Sequence, residues 1–193
     1  MTEYEQLSEK NSQKAFEIID ILRIKQLWQK ADADINLVGS LKIGVLAKHR
    51  DIDFHIYTRE LNVQKSFAVI AEICSHPQIK KCEFTNLAAT EEACFEWHLW
   101  YEDENKDLWQ IDLIQIKKGS AFDGYFENVA AQIKQTMTSE QRRTILKLKF
   151  TTPDDIKISG IEYYKAVIQN NISDLPSLLK WREKNNFAGI IEW

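Results

Sequence analysis

The chain has 193 residues, of which 44% are hydrophobic and 28% are charged, and its formal net charge at pH 7 is −4. These values indicate one globular domain with a buried core, alone or with a modest appendage. The net acidity disfavours nucleic acid as a partner, because affinity for a phosphate backbone depends on clustered Lys and Arg.

The N-terminus and the cysteines bear on the cellular compartment. The polar N-terminus is unlike a signal peptide, and no apolar run approaches the roughly 18 residues that a membrane span needs. The three cysteines, Cys74, Cys82 and Cys94, have no metal-ligand spacing such as CxxC. We therefore expect reduced core thiols, no membrane partner and a cytoplasmic protein.

The first part of the chain predicts a mixture of helices and strands. Apolar positions at helical spacing predict one long helix over residues 10–30. A strand over 34–38 is expected to end in a turn at Gly39-Ser40, and an alternating strand follows over 51–58. Next come a helix over 64–74, stopped by Pro77, and extended segments over 79–86, 93–102 and 108–116, of which the last two form a hairpin.

After residue 120 the pattern predicts helices only. The first covers residues 125–136, and Thr138 with Gln141 forms a capping box for a second that runs through Phe150. Ser159 with Glu162 caps a third, and Asp174 followed by Pro176 starts a fourth. The sequence thus predicts an α+β fold, with a domain over residues 1–120 and a helical C-terminal region over 121–193.

Two carboxylates in the second strand give the first functional signal. Asp51 and Asp53 are two residues apart, so they share one face of the strand at about 7 Å separation. Carboxylates are rarely buried without partners, so this pair is not core packing. Hard oxygen ligands of this kind bind Mg²⁺ together with substrate phosphates.

These acids belong to a longer motif, which resembles the signature of the nucleotidyltransferase superfamily that includes DNA polymerase beta. The motif consists of a glycine and serine after a strand, a second glycine and the paired acids: Gly39, Ser40, Gly44, Asp51 and Asp53. The superfamily adds a third carboxylate from a later strand, and Asp112 between Ile111 and Leu113 matches it. The resemblance covers roughly residues 34–116 and extends to small antibiotic nucleotidyltransferases. It implies a mixed sheet with flanking helices and a helical C-terminal region.

The resemblance also implies an activity. It predicts metal-dependent transfer of a nucleoside monophosphate from ATP or another NTP to a hydroxyl, with release of pyrophosphate. Asp51, Asp53 and Asp112 would bind two Mg²⁺ ions, and Asp112 would also accept the proton of the attacking hydroxyl. Gly39 would let the backbone approach a phosphate, and Ser40 would hydrogen-bond the triphosphate.

Basic residues near the motif are further candidates for nucleotide binding. Lys42 lies between the two halves of the motif and is expected to contact phosphate, while Arg50 stands where the superfamily often has Ser. The most basic part of the chain should send one or two side chains to the triphosphate; it comprises Lys117, Lys118, Arg142, Arg143, Lys147 and Lys149.

The acceptor is predicted from side chains on the carboxylate face of the strands. His55, Tyr57, Glu96 and His98 would form the acceptor site, beside Trp100. Polar groups next to aromatic surface, on an acidic chain, favour a small hydroxylated acceptor over nucleic acid. Two alternatives stay open: a non-catalytic nucleotide- or protein-binding module on the same fold, and an antitoxin-type enzyme that modifies a partner protein. Three intact carboxylates count against the first of these.

Overall fold

Five strands form one mixed sheet in the computed structural model, which describes residues 1–185 and residue 193. The strands are β1 (Asp34–Leu37), β2 (Asp51–Thr58), β3 (Ile79–Asn86), β4 (Cys94–Glu102) and β5 (Leu108–Lys117). Their order across the sheet is β1-β2-β5-β4-β3, and only β2 and β5 run parallel. The predicted α+β class is confirmed, and the predicted strand bounds agree with the structure to within one residue.

Helices surround the sheet and make up most of the second half. They are α1 (Glu3–Ile21), α2 (Ile24–Lys30), α3 (Gly39–Ile43), α4 (Val63–Cys74), α5 (Tyr125–Thr136), α6 (Ser139–Thr151), α7 (Gly160–Tyr164) and α8 (Leu175–Glu183). One π-helical turn, Lys165–Gln169, continues α7. Within residues 1–185, none of these helices has both the length and the apolar character needed to cross a membrane.

The N-terminal helix differs from its prediction. The expected single helix over residues 10–30 is two helices, because Arg23 adopts a left-handed backbone conformation with φ of 52°. The break changes the helix direction, so that Ile18 on α1 and both Ile24 and Trp28 on α2 reach the same core. Gly39-Ser40 also differs, because the expected turn is the first turn of α3.

The predicted caps of the C-terminal helices are present. Thr138 Oγ1 accepts a hydrogen bond from the Gln141 N–H at 3.1 Å, and Gln141 Oε1 accepts one from the Thr138 N–H at 2.9 Å. The Glu162 carboxylate accepts from the Ser159 N–H at 2.7 Å. These local bonds satisfy backbone groups that a helix terminus leaves free, which explains why the sequence could locate them.

Two large hydrophobic clusters and a small one around Tyr57, Cys94 and Ile116 form the core, and they leave part of one face of the sheet for the site. The first fills the space between the sheet and α1, α2 and α4, and takes alternate residues of the strands, such as Phe54 and Trp97. The second joins the C-terminal helices to Ile43, Val45 and Ala47. Since residues 43–47 pack with those helices, the domain division near residue 120 stays a prediction.

The cysteines lie at three different depths. Cys94 is buried and Cys74 is half-buried, whereas Cys82 on β3 is exposed. The expectation of core thiols is therefore wrong for Cys82, because β3 is an edge strand and its residues 80–83 are all exposed.

Candidate active site

Three carboxylates meet on one face of the sheet. In the parallel pairing of β2 with β5, Asp53 lies opposite Asp112 and Asp51 lies opposite Gln110. Paired strands are about 4.8 Å apart, so the register alone brings these side chains together. All three acids line one cavity of about 550 Å³, which α3, α5 and α7 close on the other side.

The electrostatics of this cluster favour a cation. Burial raises the pKa of Asp53 to about 7, and the Asp112 and Asp51 carboxylates add to that effect. Burial also raises the pKa of Asp51, although the charge of His49 opposes it. Like charges held together in a partly desolvated place are costly unless a positive charge compensates them. A set of carboxylate oxygens is the donor set that Mg²⁺ prefers, so the residues present fit this ion.

Asp112 is held in place by two neighbours. His98 Nδ1 lies 2.6 Å from Asp112 Oδ1, because β4 pairs with β5 and puts His98 directly opposite. The Gln110 side-chain amide donates to both carboxylate oxygens, at 3.0 and 3.2 Å. These bonds fix the orientation of the carboxylate toward the cavity. Sequence reasoning missed Gln110, although its place two residues before Asp112 put it on the same strand face.

Gly39 is required by its contact with Asp53. Its φ is +65°, and a Cβ built on it would lie 2.0 Å from Asp53 Oδ2. The neighbouring Val38 N–H donates to the Asp53 carbonyl at 2.9 Å, which keeps the start of α3 against β2. The missing side chain therefore makes room for the metal-ligand candidate itself, in addition to any phosphate.

A buried lysine reaches the serine of the motif. Lys149 Nζ on α6 donates to Ser40 Oγ at 2.6 Å and to the Val45 carbonyl at 3.2 Å, and its residue is only 8% exposed. Tyr164 Oη on α7 lies 3.0 Å from the same serine oxygen. An ammonium and two hydroxyls thus converge beside the carboxylates. Lys149 belongs to the basic group from which one or two side chains were expected here, whereas Tyr164 gave no signal in the sequence.

Two other basic candidates lie elsewhere. Lys42 is exposed and lines a neighbouring groove instead of the carboxylate cavity, since it lies on the far side of α3 from Ser40. Arg50 pairs with Asp107 through a 2.8 Å contact between Nη2 and Oδ2. Neither side chain is brought to the acids, and a role for Lys42 in binding the triphosphate of an NTP in this cavity lacks support from its position.

The predicted acceptor site is not assembled as a unit. Of its four residues only His55 lines the cavity, and burial lowers the pKa of its ring. Tyr57 is buried and donates to Glu127 Oε2 at 2.7 Å, because α5 covers that part of the strand. The sequence gave no reason to pair Tyr57 with Glu127.

The other two members of that set are engaged as well. His98 is bound to Asp112, and Glu96 Oε2 lies 4.0 Å from His98 Nε2. Glu96 lines a separate cavity of about 190 Å³ together with Glu92 and Cys94. The row of these four side chains extends beyond the part of the sheet that lines the cavity, so their role as an acceptor site stays a prediction.

The chain shares its fold with solved structures that include Cid1 poly(U) polymerase and the GLD-2/RNP-8 complex, and the predicted mixed sheet with flanking helices is confirmed. Cid1 poly(U) polymerase in its MgGTP-bound form is similar with a TM-score of 0.60 and 17% identity, over 85% of this chain and 52% of that chain. Its MgATP-bound form gives a TM-score of 0.61 and 17% identity, over 88% and 53%.

A second similar structure is the GLD-2/RNP-8 complex, with a TM-score of 0.53 and 14% identity, over 86% of this chain and 61% of that chain. No protein-family model and no curated protein matches the chain. The chain spans about half the length of the Cid1 structures that it matches. At these identities the likeness establishes the architecture, and the chemistry has to be argued from the site.

Replacing Gly39 with Ala should displace Asp53 or α3, since the added carbon would overlap the carboxylate. Gly119→Ala is a matched control, because Gly119 also has a positive φ of +77° but no atom within 4 Å of the added carbon. Left-handed strain alone costs about 1–2 kcal/mol. In urea unfolding Gly39→Ala should cost clearly more than the control. Equal costs would show that the Asp53 contact is not restrictive.

The pKa of Asp53 predicts a pH dependence of stability. Its folded value of about 7 exceeds the usual value near 3.8, so the folded state holds a proton that the unfolded state releases. Stability without metal should therefore fall as the pH rises from about 4 to 7. Asp53→Asn should remove this fall and stabilise the protein above pH 7 by on the order of 4 kcal/mol, which is the linkage value of a shift of this size.

Thermal unfolding at several pH values measures this effect, and Asp20→Asn, at an exposed position on α1, is the control. Added Mg²⁺ should stabilise the wild type more above pH 7 than at pH 5, since protons compete for the same oxygens. The assignment is wrong if Asp53→Asn and Asp20→Asn show the same pH dependence as the wild type.

Proposed function

We propose that this chain is the catalytic part of a metal-dependent nucleotidyltransferase that moves a nucleoside monophosphate from an NTP to a hydroxyl. The observation that carries the proposal is one cavity lined by Asp51, Asp53 and Asp112 next to the bonded pair Ser40 and Lys149. This reaction requires carboxylates that bind metal ions and a positively charged side chain that binds phosphate. The shared architecture with nucleotide-bound Cid1 supports it.

In this proposal the phosphates of the NTP lie against α3. Lys149 compensates their charge, Ser40 and Tyr164 donate hydroxyl hydrogen bonds, and Gly39 leaves the backbone open. A buried ammonium is strongly effective because little water screens it. The rest of the nucleotide occupies the cavity between the acids and the apolar side of α5, which includes Phe126.

The three acids act at the reacting phosphorus. Asp51 and Asp53, with Asp112, would hold two Mg²⁺ ions, which when bound neutralise charge on the phosphates and lower the pKa of the attacking hydroxyl. Asp112, oriented by His98 and Gln110, accepts the proton of that hydroxyl. The hydroxyl oxygen bonds to the α-phosphorus, the bond to the bridging oxygen breaks, and pyrophosphate leaves.

Two acceptor classes are compatible with this site. A small hydroxylated compound fits a cavity of about 550 Å³, which is within the usual range for small-molecule sites. The end of an RNA strand is favoured by the likeness to Cid1, a poly(U) polymerase with RNA terminal uridylyl transferase activity. The engagement of Tyr57, Glu96 and His98 within the protein weakens the argument for the small compound.

Asp53→Asn and Asp112→Asn should each lower Mg²⁺-dependent pyrophosphate release by on the order of a thousandfold, while the protein stays folded.

Ser40→Ala should weaken NTP binding about tenfold, since it removes one hydrogen bond to a charged group. Release is measured with a panel of RNA and small hydroxylated acceptors and α-labelled NTP, with Asp20→Asn as the control.

Turnover that survives Asp53→Asn would contradict the proposed chemistry. Heat stabilisation by NTP with no pyrophosphate from any acceptor would favour a binding module. Label appearing on a protein partner would favour the antitoxin-type alternative.

His98 provides a finer test, as a residue that positions Asp112. His98→Ala should lower kcat while leaving KM for the NTP nearly unchanged, because the phosphate contacts of Ser40 and Lys149 remain. His98→Gln, which keeps a donor, should recover part of kcat. Glu102→Gln, at the far end of the same strand and opposite Leu108, is the control and should leave both constants unchanged. Equal losses in kcat for the Ala and Gln variants would refute the positioning role.

A further inference from the structure

A second concave surface lies beside the catalytic cavity. We call it the β1 groove: it is bordered by α1, α2, β1, α3 and α5, and its volume is about 1220 Å³. The two spaces share Ala130 of α5 in their walls. They also share α3, whose Ser40 faces the cavity and whose Lys42 faces the groove. A ligand in the groove therefore lies next to the nucleotide site.

The β1 groove is basic although the chain as a whole is acidic. Lys25, Lys42 and Lys134 line it, and none of the three makes an ion pair with any residue in 1–185. Glu127 is the one acid among the described lining residues, and its carboxylate is turned inward to Tyr57. Three uncompensated ammonium groups along one concave surface attract a ligand with several negative charges.

The remaining lining residues narrow the chemistry of that ligand. Phe16 on α1 is 45% exposed, which leaves a ring face available in the groove. Four side-chain amides, each able to donate and to accept, complete the polar part of the lining: Gln29, Asn36, Asn128 and Gln135. Bases offer hydrogen-bonding edges and π-faces, and phosphates meet the lysines, so a nucleic-acid strand uses all three kinds of group.

We propose that the β1 groove binds single-stranded nucleic acid, with Lys25, Lys42 and Lys134 on its phosphates and Phe16 stacked on a base. An acidic protein surface could also pair with the lysines. It would not offer planar bases that stack on Phe16 and form hydrogen bonds with the side-chain amides through their edges. That the bound nucleic acid is the acceptor of the transferred nucleotide rests on the proposed function. Its binding in the β1 groove does not. The local positive charge of the groove can thus attract a polyanion although the net charge of the chain is negative.

The test is fluorescence anisotropy with a labelled single-stranded RNA of roughly 15 nucleotides at several salt concentrations. A variant with Lys25→Glu, Lys42→Glu and Lys134→Glu should bind at least about tenfold more weakly, and the slope of log affinity against log salt should be shallower by about 2. Phe16→Ala should weaken binding about tenfold with the slope unchanged. The matched control carries Lys10→Glu, Lys180→Glu and Lys184→Glu, all at exposed positions outside the groove.

Three results would overturn the proposal: no binding by the wild type, equal weakening in the groove variant and the control, or equal binding of a poly-glutamate of the same charge. Heat stabilisation by Mg²⁺ and NTP is measured in parallel on each variant, and it should be retained because no substituted residue lines the catalytic cavity. RNA binding without stabilisation by NTP would refute the proposed function and leave the groove assignment standing. Stabilisation by NTP without RNA binding would do the reverse.

Discussion

The parallel pairing of β2 with β5 is the constraint on which the rest of the site depends. It sets Asp53 directly opposite Asp112, so that two carboxylates share a partly desolvated place on the sheet. Burial, and after it the repulsion from Asp112 and Asp51, raises the pKa of Asp53, so the charge of the acids has to be compensated by other parts of the protein or by a ligand. Glycine at position 39, the amide of Gln110 and the ring of His98 all act on this pair of acids.

The helical half contributes a positive charge beside the three acids. Lys149 crosses from α6 to Ser40, and its ammonium also lowers the pKa of both Asp51 and Asp53, as a smaller effect than their burial. The second hydrophobic cluster fixes this arrangement, since residues 43–47 pack directly on the C-terminal helices. The site is therefore shared between the two halves of the chain, and neither half holds all of its polar groups.

Sequence reasoning succeeded where a pattern is local. Strict alternation located β2, β4 and β5 and put the three acids on one face, and side-chain bonds across three residues located the caps at Thr138 and Ser159. It failed at contacts between distant positions. The Lys149–Ser40 bond joins residues 109 apart, and the Tyr57–Glu127 bond joins residues 70 apart. Such pairs depend on how α5 and α6 pack on the sheet. The periodicity of apolar residues within each segment does not predict that packing.

The buried bond between Lys149 and Ser40 has a consequence for the thermodynamics of any anion that replaces it. The long lysine side chain has already lost its rotational freedom and most of its water during folding, since it is held by both Ser40 and the Val45 carbonyl. An arriving phosphate exchanges one oxygen partner for another and immobilises little that was mobile before. In the proposed function, the capture of phosphate at this position is thus preorganised, because the lysine loses its conformational entropy on folding and not on binding.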